Sequence, residues 1–112
     1  MSRYVELSRA QADALRAVLG GGAAVYGSAG RVAKNTVESL SRAGLVVLGR
    51  RRSPFPGRPG LPAFRLTEAG VRHLLVYSIL RSGEKLSAEE SAAKWFAYFS
   101  KNAVNFGFVE PS

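Results

Sequence analysis

The chain has 112 residues, a length that fits one domain around a single hydrophobic core, and its hydrophobic content of 46% is typical of a globular protein. Cysteine is absent, which excludes disulfides and thiolate metal sites, and no apolar run reaches the ~18–20 residues that cross a bilayer. The amino-terminal residues also lack the apolar centre of a signal peptide. We therefore expect a cytoplasmic protein with no cofactor, no metal and no membrane partner.

The net charge of +8 is concentrated in the middle of the chain. Residues 31–65 contain eight basic side chains and one acid, Glu38, so this third carries +7. A concentrated basic surface attracts phosphate backbones because binding releases condensed counterions. The pattern favours a nucleic acid as partner over a basic face that only aids solubility, and it leaves an anionic lipid surface as an alternative.

The first predicted elements are a helix and a short apolar segment. Ser8 with Gln11 three residues later is a capping box, and the glycine triplet 20–22 is predicted to end the helix that follows. Residues 23–26 are predicted to form either a short strand or an extended link.

Two further helices are predicted in the basic region. Ser28 is expected to cap a short second helix over residues 29–33. Lys34 and Asn35 are interpreted as a turn, with Asn35 capping a third helix from Thr36 to about residue 43. Gly44 is the expected stop of this helix.

A β-hairpin with a long basic tip is predicted next. Residues 45–48 form a short β-prone segment, and residues 61–66 are predicted to be the returning strand. The intervening residues 50–60 hold three of the five prolines and are expected to be irregular.

Two more helices complete the predicted order. Thr67 is expected to cap a fourth helix, with His73 on its outer side, and Ser87 with Glu90 forms a second capping box that begins a fifth helix. Its apolar positions follow a period of three to four residues. Residues 106–112 are predicted to be irregular.

The segments Thr36–Val46 and Phe64–Gly70, about 20 residues apart, resemble the winged helix-turn-helix regulators of the MarR and PadR type. The resemblance covers roughly residues 8–80. It implies a mainly α fold with a small β-hairpin (α+β), in which residues 1–82 form a winged helix-turn-helix DNA-binding domain. Residues 83–112 are then a C-terminal helix that serves as a dimerisation element.

In such a protein the third helix enters the major groove and the hairpin tip, the wing, lies on the minor groove or the backbone. Short polar side chains near the start of the helix are candidates for base contacts, although Asn35 as a simple cap and Ser39 as an ordinary surface residue are the alternatives. The arginine-rich tip is expected to contact DNA rather than only solvent. The candidate DNA-binding residues are Ser28, Arg31, Lys34, Asn35, Thr36, Ser39, Arg42, Arg50, Arg51, Arg52 and Arg58.

Six of the eleven aromatic residues lie in the last 18 positions. We expect a homodimer interface on the fifth helix, formed by Trp95, Phe96, Phe99 and Ala103. The alternatives are a helix that folds back on its own core and a stacking platform for single-stranded nucleic acid.

An enzyme is not expected. His73 is the only histidine and Asp13 the only aspartate, too few for a Ser-His-Asp triad and a metal site. Residues 22–28 resemble a phosphate loop but have Ser where that motif needs Lys. The predicted function is that of a transcriptional regulator that binds double-stranded DNA in a sequence-specific manner, with repression favoured over activation and any small-molecule effector unknown. The alternatives are a plasmid or phage DNA-binding protein for replication, partition or transfer, and a protein-interaction adaptor that uses the aromatic helix.

Overall fold

The computed structural model describes residues 6–27, 30–77, 80 and 87–110. These residues form an α+β fold, in agreement with the predicted class. None of the described helices has both the length and the apolar character needed to span a bilayer. The elements in chain order are α1 (Arg9–Ala17), β1 (Ala23–Val25), α2 (Lys34–Arg42), β2 (Val46–Arg51), β3 (Leu61–Leu66), α3 (Glu68–Val76), α4 (Ala88–Phe106) and β4 (Phe108–Val109).

The four strands form one antiparallel sheet in the order β1-β3-β2-β4. β2 and β3 pair along their whole length, from Val46 opposite Leu66 to Arg51 opposite Leu61. β1 covers the outer side of β3, and β4 covers the outer side of β2 at its arginine-rich end. The sheet thus places the hairpin between two short edge strands.

The predicted helix starts are confirmed at three positions where a hydroxyl caps the first turn. Ser8 Oγ accepts from the Gln11 backbone N–H at 3.1 Å. Thr67 Oγ1 accepts from Gly70 at 3.0 Å, and Ser87 Oγ accepts from Glu90 at 3.1 Å. Each bond satisfies a donor that has no partner inside its helix, which fixes where the helix begins.

The predicted second helix is wrong over residues 30–33, and Ser28 lies outside the described residues. Val32 instead forms an isolated parallel β-bridge with Tyr26, and the Val32 carbonyl accepts from the Gly27 N–H at 2.8 Å. These bonds hold the segment alongside the end of β1 and take backbone groups that a helix would need. Consequently Lys34 and Asn35 are not a turn but the first residues of α2, and among the residues that the structure describes no side chain caps this helix.

The core is shared by elements from both ends of the chain. Leu15, Leu40 and Phe64 pack in one cluster with Ala92 and Phe99 of α4. The described part of the predicted C-terminal domain therefore packs on the rest of the fold, while the boundary at residues 82 and 83 lies outside the described residues. The expectation of an outward His73 is wrong, because its side chain is buried with 3% exposure.

The close approach of α4 to the turn before β1 gives a stability prediction. Gly22 has φ +75°, and a Cβ there would lie 2.2 Å from the Phe99 carbonyl oxygen. Gly22→Ala should therefore lower the free energy of unfolding by about 2–4 kcal/mol in urea denaturation. Gly20→Ala is the matched control, since nothing lies within 4 Å of its Cβ. Equal destabilisation of the two variants would contradict this account of how α4 meets the turn.

Candidate nucleic-acid interface

α2 presents one face to the core and the opposite face to solvent. Val37 and Leu40 are fully buried, whereas Lys34, Asn35 and Arg42 are exposed. A rotation of about 100° per residue places Asn35 and Arg42 on the side opposite the buried pair, with the half-exposed Glu38 between them. The outward face of the helix thus combines an amide, a carboxylate and a guanidinium, and the exposed Lys34 lies at its side.

Ser39 has a different position from the one predicted. Its hydroxyl donates to the Thr36 carbonyl at 2.7 Å and accepts from Gln11 Nε2 of α1 at 3.0 Å. Thr36 is itself half-buried. The bond between Gln11 and Ser39 therefore helps to hold α2 against α1. The expectation that Ser39 reads bases is corrected, because its hydroxyl already makes two hydrogen bonds inside the protein.

The prediction that Asn35 caps a helix is also wrong. Ala33 occupies the cap position, and Asn35 lies within the first turn of α2 with an exposed side chain. Arg31 is exposed just before this turn. The first turn of α2 and Arg31 before it therefore present an exposed polar and basic surface.

Two arginines at the end of β2, Arg50 and Arg51, are held by contacts to backbone carbonyls and an aromatic ring. β2 extends through Arg51, so the predicted irregular segment begins two residues later than expected. Arg50 Nη1 donates to the Gly60 carbonyl at 2.7 Å, and Arg51 Nε donates to the Phe106 carbonyl at 3.1 Å. The Arg51 guanidinium also lies 4.2 Å from the centre of the Phe106 ring. These contacts order the side chains without neutralising them.

The sequence pattern predicts irregular structure from residue 106, whereas α4 extends to Phe106 and is followed by the strand β4. Phe108 pairs with Arg51, and the Arg52 N–H donates to the Gly107 carbonyl at 2.7 Å. Gly49 makes the approach possible, because a Cβ there would lie 2.4 Å from the Val109 carbonyl oxygen and 2.5 Å from the Phe108 ring. The local signals were the glycine after the long helix and two β-prone residues, too few for a predicted strand.

Carboxylates are distributed unevenly among the basic residues. Arg16 pairs with Asp13, Arg72 pairs with two glutamates, and the half-buried Arg65 pairs with Glu110. Burial lowers the pKa of the Arg65 guanidinium, and Glu110 lies against it as a counter-ion.

Within the described ranges, ten exposed basic side chains have no carboxylate partner. Three of them, Arg9, Lys94 and Lys101, lie on α1 and α4, and the other seven come from the basic third of the chain. These seven belong to α2, the turn before it and the hairpin: Arg31, Lys34, Arg42, Arg50, Arg51, Arg52 and Arg58. We call these seven side chains the cationic surface.

A cleft of about 680 Å³ lies between the hairpin loop, residues 52–60, and the end of α4. Arg51, Arg52 and Arg58 line it together with Phe55 and Phe106, and none of the described acidic residues does. The cleft joins positive charge to aromatic surface, a combination that suits an anionic polymer with planar bases.

The predicted dimer residues divide into two groups. Phe99 and Ala103 are buried in the core of their own chain and are not available to a second copy, which corrects their assignment. Trp95 and Phe96 are half-buried against the same core, and the Trp95 ring stacks on Phe99 at 5.5 Å. One side of α4 therefore folds back on the chain, as the alternative interpretation held.

No protein-family model, curated protein or solved structure matches this chain.

The position of Ser39 gives a second prediction. Ser39→Ala removes the bond from Gln11 and should lower the free energy of unfolding by about 1 kcal/mol in urea denaturation. Ser41→Ala on the same helix is the control, because within the described residues its hydroxyl makes no hydrogen bond. If Ser39→Ala left stability unchanged but altered DNA sequence preference, the outward placement predicted from the sequence would be correct.

Proposed function

We propose that the protein is a winged-helix regulator that binds double-stranded DNA in a sequence-specific manner and represses transcription. α2 lies in the major groove, and the hairpin loop acts as the wing on the adjacent minor groove. The observation that carries the proposal is the cationic surface: seven exposed basic side chains without carboxylate partners in the described structure. Binding of such a surface to DNA is favourable because counterions are released from the phosphates that it contacts.

The dimensions of the hairpin support this arrangement. β2 begins shortly after α2 and has six residues, which at ~3.4 Å each span about 20 Å. Half a turn of B-form DNA measures about 17 Å along the axis. A helix at one end of the strand and a loop at the other can therefore reach neighbouring grooves of one duplex.

The side chains on the outward face of α2 have the chemistry of base readout. The amide of Asn35 can pair with adenine, Glu38 can accept from the cytosine amino group, and Arg42 can donate two bonds to guanine. Arg31 and Lys34 contact the flanking phosphates. The first-turn N–H groups of α2 lack a side-chain cap, so they can also donate to a phosphate.

A homodimer is part of the proposal, because two copies would read a symmetric site in two half-sites. Its contact surface is limited to α4 side chains that stay accessible. Among these, the aromatic side chains form the proposed contact surface: the half-buried Trp95 and Phe96 and the exposed Tyr98.

The salt dependence of binding tests the proposal. A random-sequence duplex should bind in fluorescence anisotropy, with the affinity falling about a thousandfold between about 50 and 200 mM salt. Lys34→Ala/Arg42→Ala should weaken binding and reduce the slope of log affinity against log salt by about 1 for each phosphate that the variant no longer binds.

Lys94→Ala/Lys101→Ala is the matched control. It removes the same charge from exposed positions of α4 and should leave the slope nearly unchanged. No binding of the unaltered protein to any duplex, or equal effects of both double variants, would refute the proposed interface.

Sequence preference provides a separate test. Sites are selected from a randomised duplex pool by the unaltered protein and by Asn35→Ala. The variant should lose preference at one base pair of each half-site, with a cost of about 1–3 kcal/mol for the selected site and little change for random DNA. An unchanged selected sequence would remove Asn35 from the reading surface.

A further inference from the structure

Phe55 is an aromatic side chain that the fold leaves in solvent. Its exposure is 62%, and it stands in the hairpin loop between Pro54 and Pro56. A ring of this size that stays in solvent forgoes the stabilisation that burial in the core would give. The exposure is therefore informative, and neither the phosphate contacts nor the base contacts of the proposed complex use this ring.

The loop that carries Phe55 is internally bonded. The Phe55 N–H donates to Ser53 Oγ at 3.2 Å, and the Phe55 carbonyl accepts from the Arg58 N–H at 3.4 Å. Prolines on both sides restrict the backbone further. The backbone of the loop therefore has little conformational entropy left to lose when the Phe55 ring binds to a partner.

Positive charge surrounds the ring. The Arg58 guanidinium lies 5.6 Å from the ring centre, and Arg52 is exposed nearby in the same loop. Both arginines and Phe55 line the cleft beside the end of α4. An apolar tip flanked by cations matches an opened base step, because the faces of the bases are apolar and the phosphates of the two backbones lie on either side of the groove.

We infer that Phe55 is a wedge that enters the minor groove between two base pairs and kinks the duplex, a role that rests on the proposed function and adds DNA bending to it. Apolar side chains that enter a base step from the minor groove partly unstack it and bend the duplex toward the major groove. Pyrimidine–purine steps unstack most readily, so such a step is favoured beneath the loop. The occupant is a duplex rather than a single strand, because successive unpaired bases need a row of exposed rings. Phe55 is exposed, whereas the second ring of the cleft, Phe106, is half-buried with the Arg51 guanidinium over its face.

The experiment measures bending by energy transfer between dyes at the two ends of a selected duplex. The unaltered protein should shorten the distance between the ends. Phe55→Ala should abolish the shortening and weaken binding about tenfold on a site with a central TA step. On a matched site with a stiff A-tract at that position, the two proteins should bind equally.

Two variants keep the result interpretable. Phe55→Leu retains an apolar wedge and should still bend the duplex, while Val104→Ala removes a similarly exposed apolar side chain from α4 and should change nothing. Thermal unfolding of all variants should match the unaltered protein, since Phe55 contributes little to the core.

The outcomes separate the wedge from the proposed function. The unaltered protein and Phe55→Ala could both bind the duplex in a salt-dependent manner and give the same distance between its ends. That result would overturn the wedge and leave the proposed function intact. Loss of single-strand binding alone in Phe55→Ala would identify the ring as a stacking surface and would also overturn the wedge. Absence of duplex binding by the unaltered protein would refute both.

Discussion

Hydrogen bonding along both edges of β2 is the constraint on which the arrangement of the hairpin depends. β3 covers one edge over all six residues, and β4 covers the other edge at Arg50 and Arg51. The arginine-rich end of the hairpin is thereby tied to the last turn of α4, through the Arg52 N–H and the Phe106 ring. Because α4 packs on the core, the hairpin loop has a fixed direction relative to α2.

The uneven use of carboxylates follows from this arrangement. Glu110 comes to Arg65, the one partly buried arginine of the basic region, where an unpaired cation would cost most. Three exposed arginines of the hairpin, Arg50, Arg51 and Arg58, contact carbonyls or rings instead, which orient a guanidinium but leave its charge. The fold therefore carries a cost in self-repulsion that a polyanionic partner would relieve.

Local sequence rules predicted much of the fold. The caps at Ser8, Thr67 and Ser87 were readable because each bond joins residues three apart, and the period of α4 identified its buried side. For the candidate site, charge alone identified the basic residues that the structure leaves exposed. It did not distinguish Arg65, whose partner lies 45 residues away.

The errors arose where distant segments decide the structure. A helix after Ser28 was reasonable from local signals, but the bonds from Val32 to the end of β1 compete with it over residues 30–33. Ser39 was predicted to face outward because nothing nearby in sequence reveals the amide of Gln11 beside it. β4 depends on Gly49, a residue of another strand, so its own two residues gave no usable pattern.

Gly49 has a consequence beyond the geometry of the hairpin. Any larger side chain there would push Val109 and the Phe108 ring away, and the edge of β2 at Arg50 and Arg51 would then offer unpaired backbone groups to solvent. Bare margins of this kind recruit strands from other molecules, which is how many proteins begin to aggregate. The absence of a side chain at position 49 therefore keeps this end of β2 paired with β4.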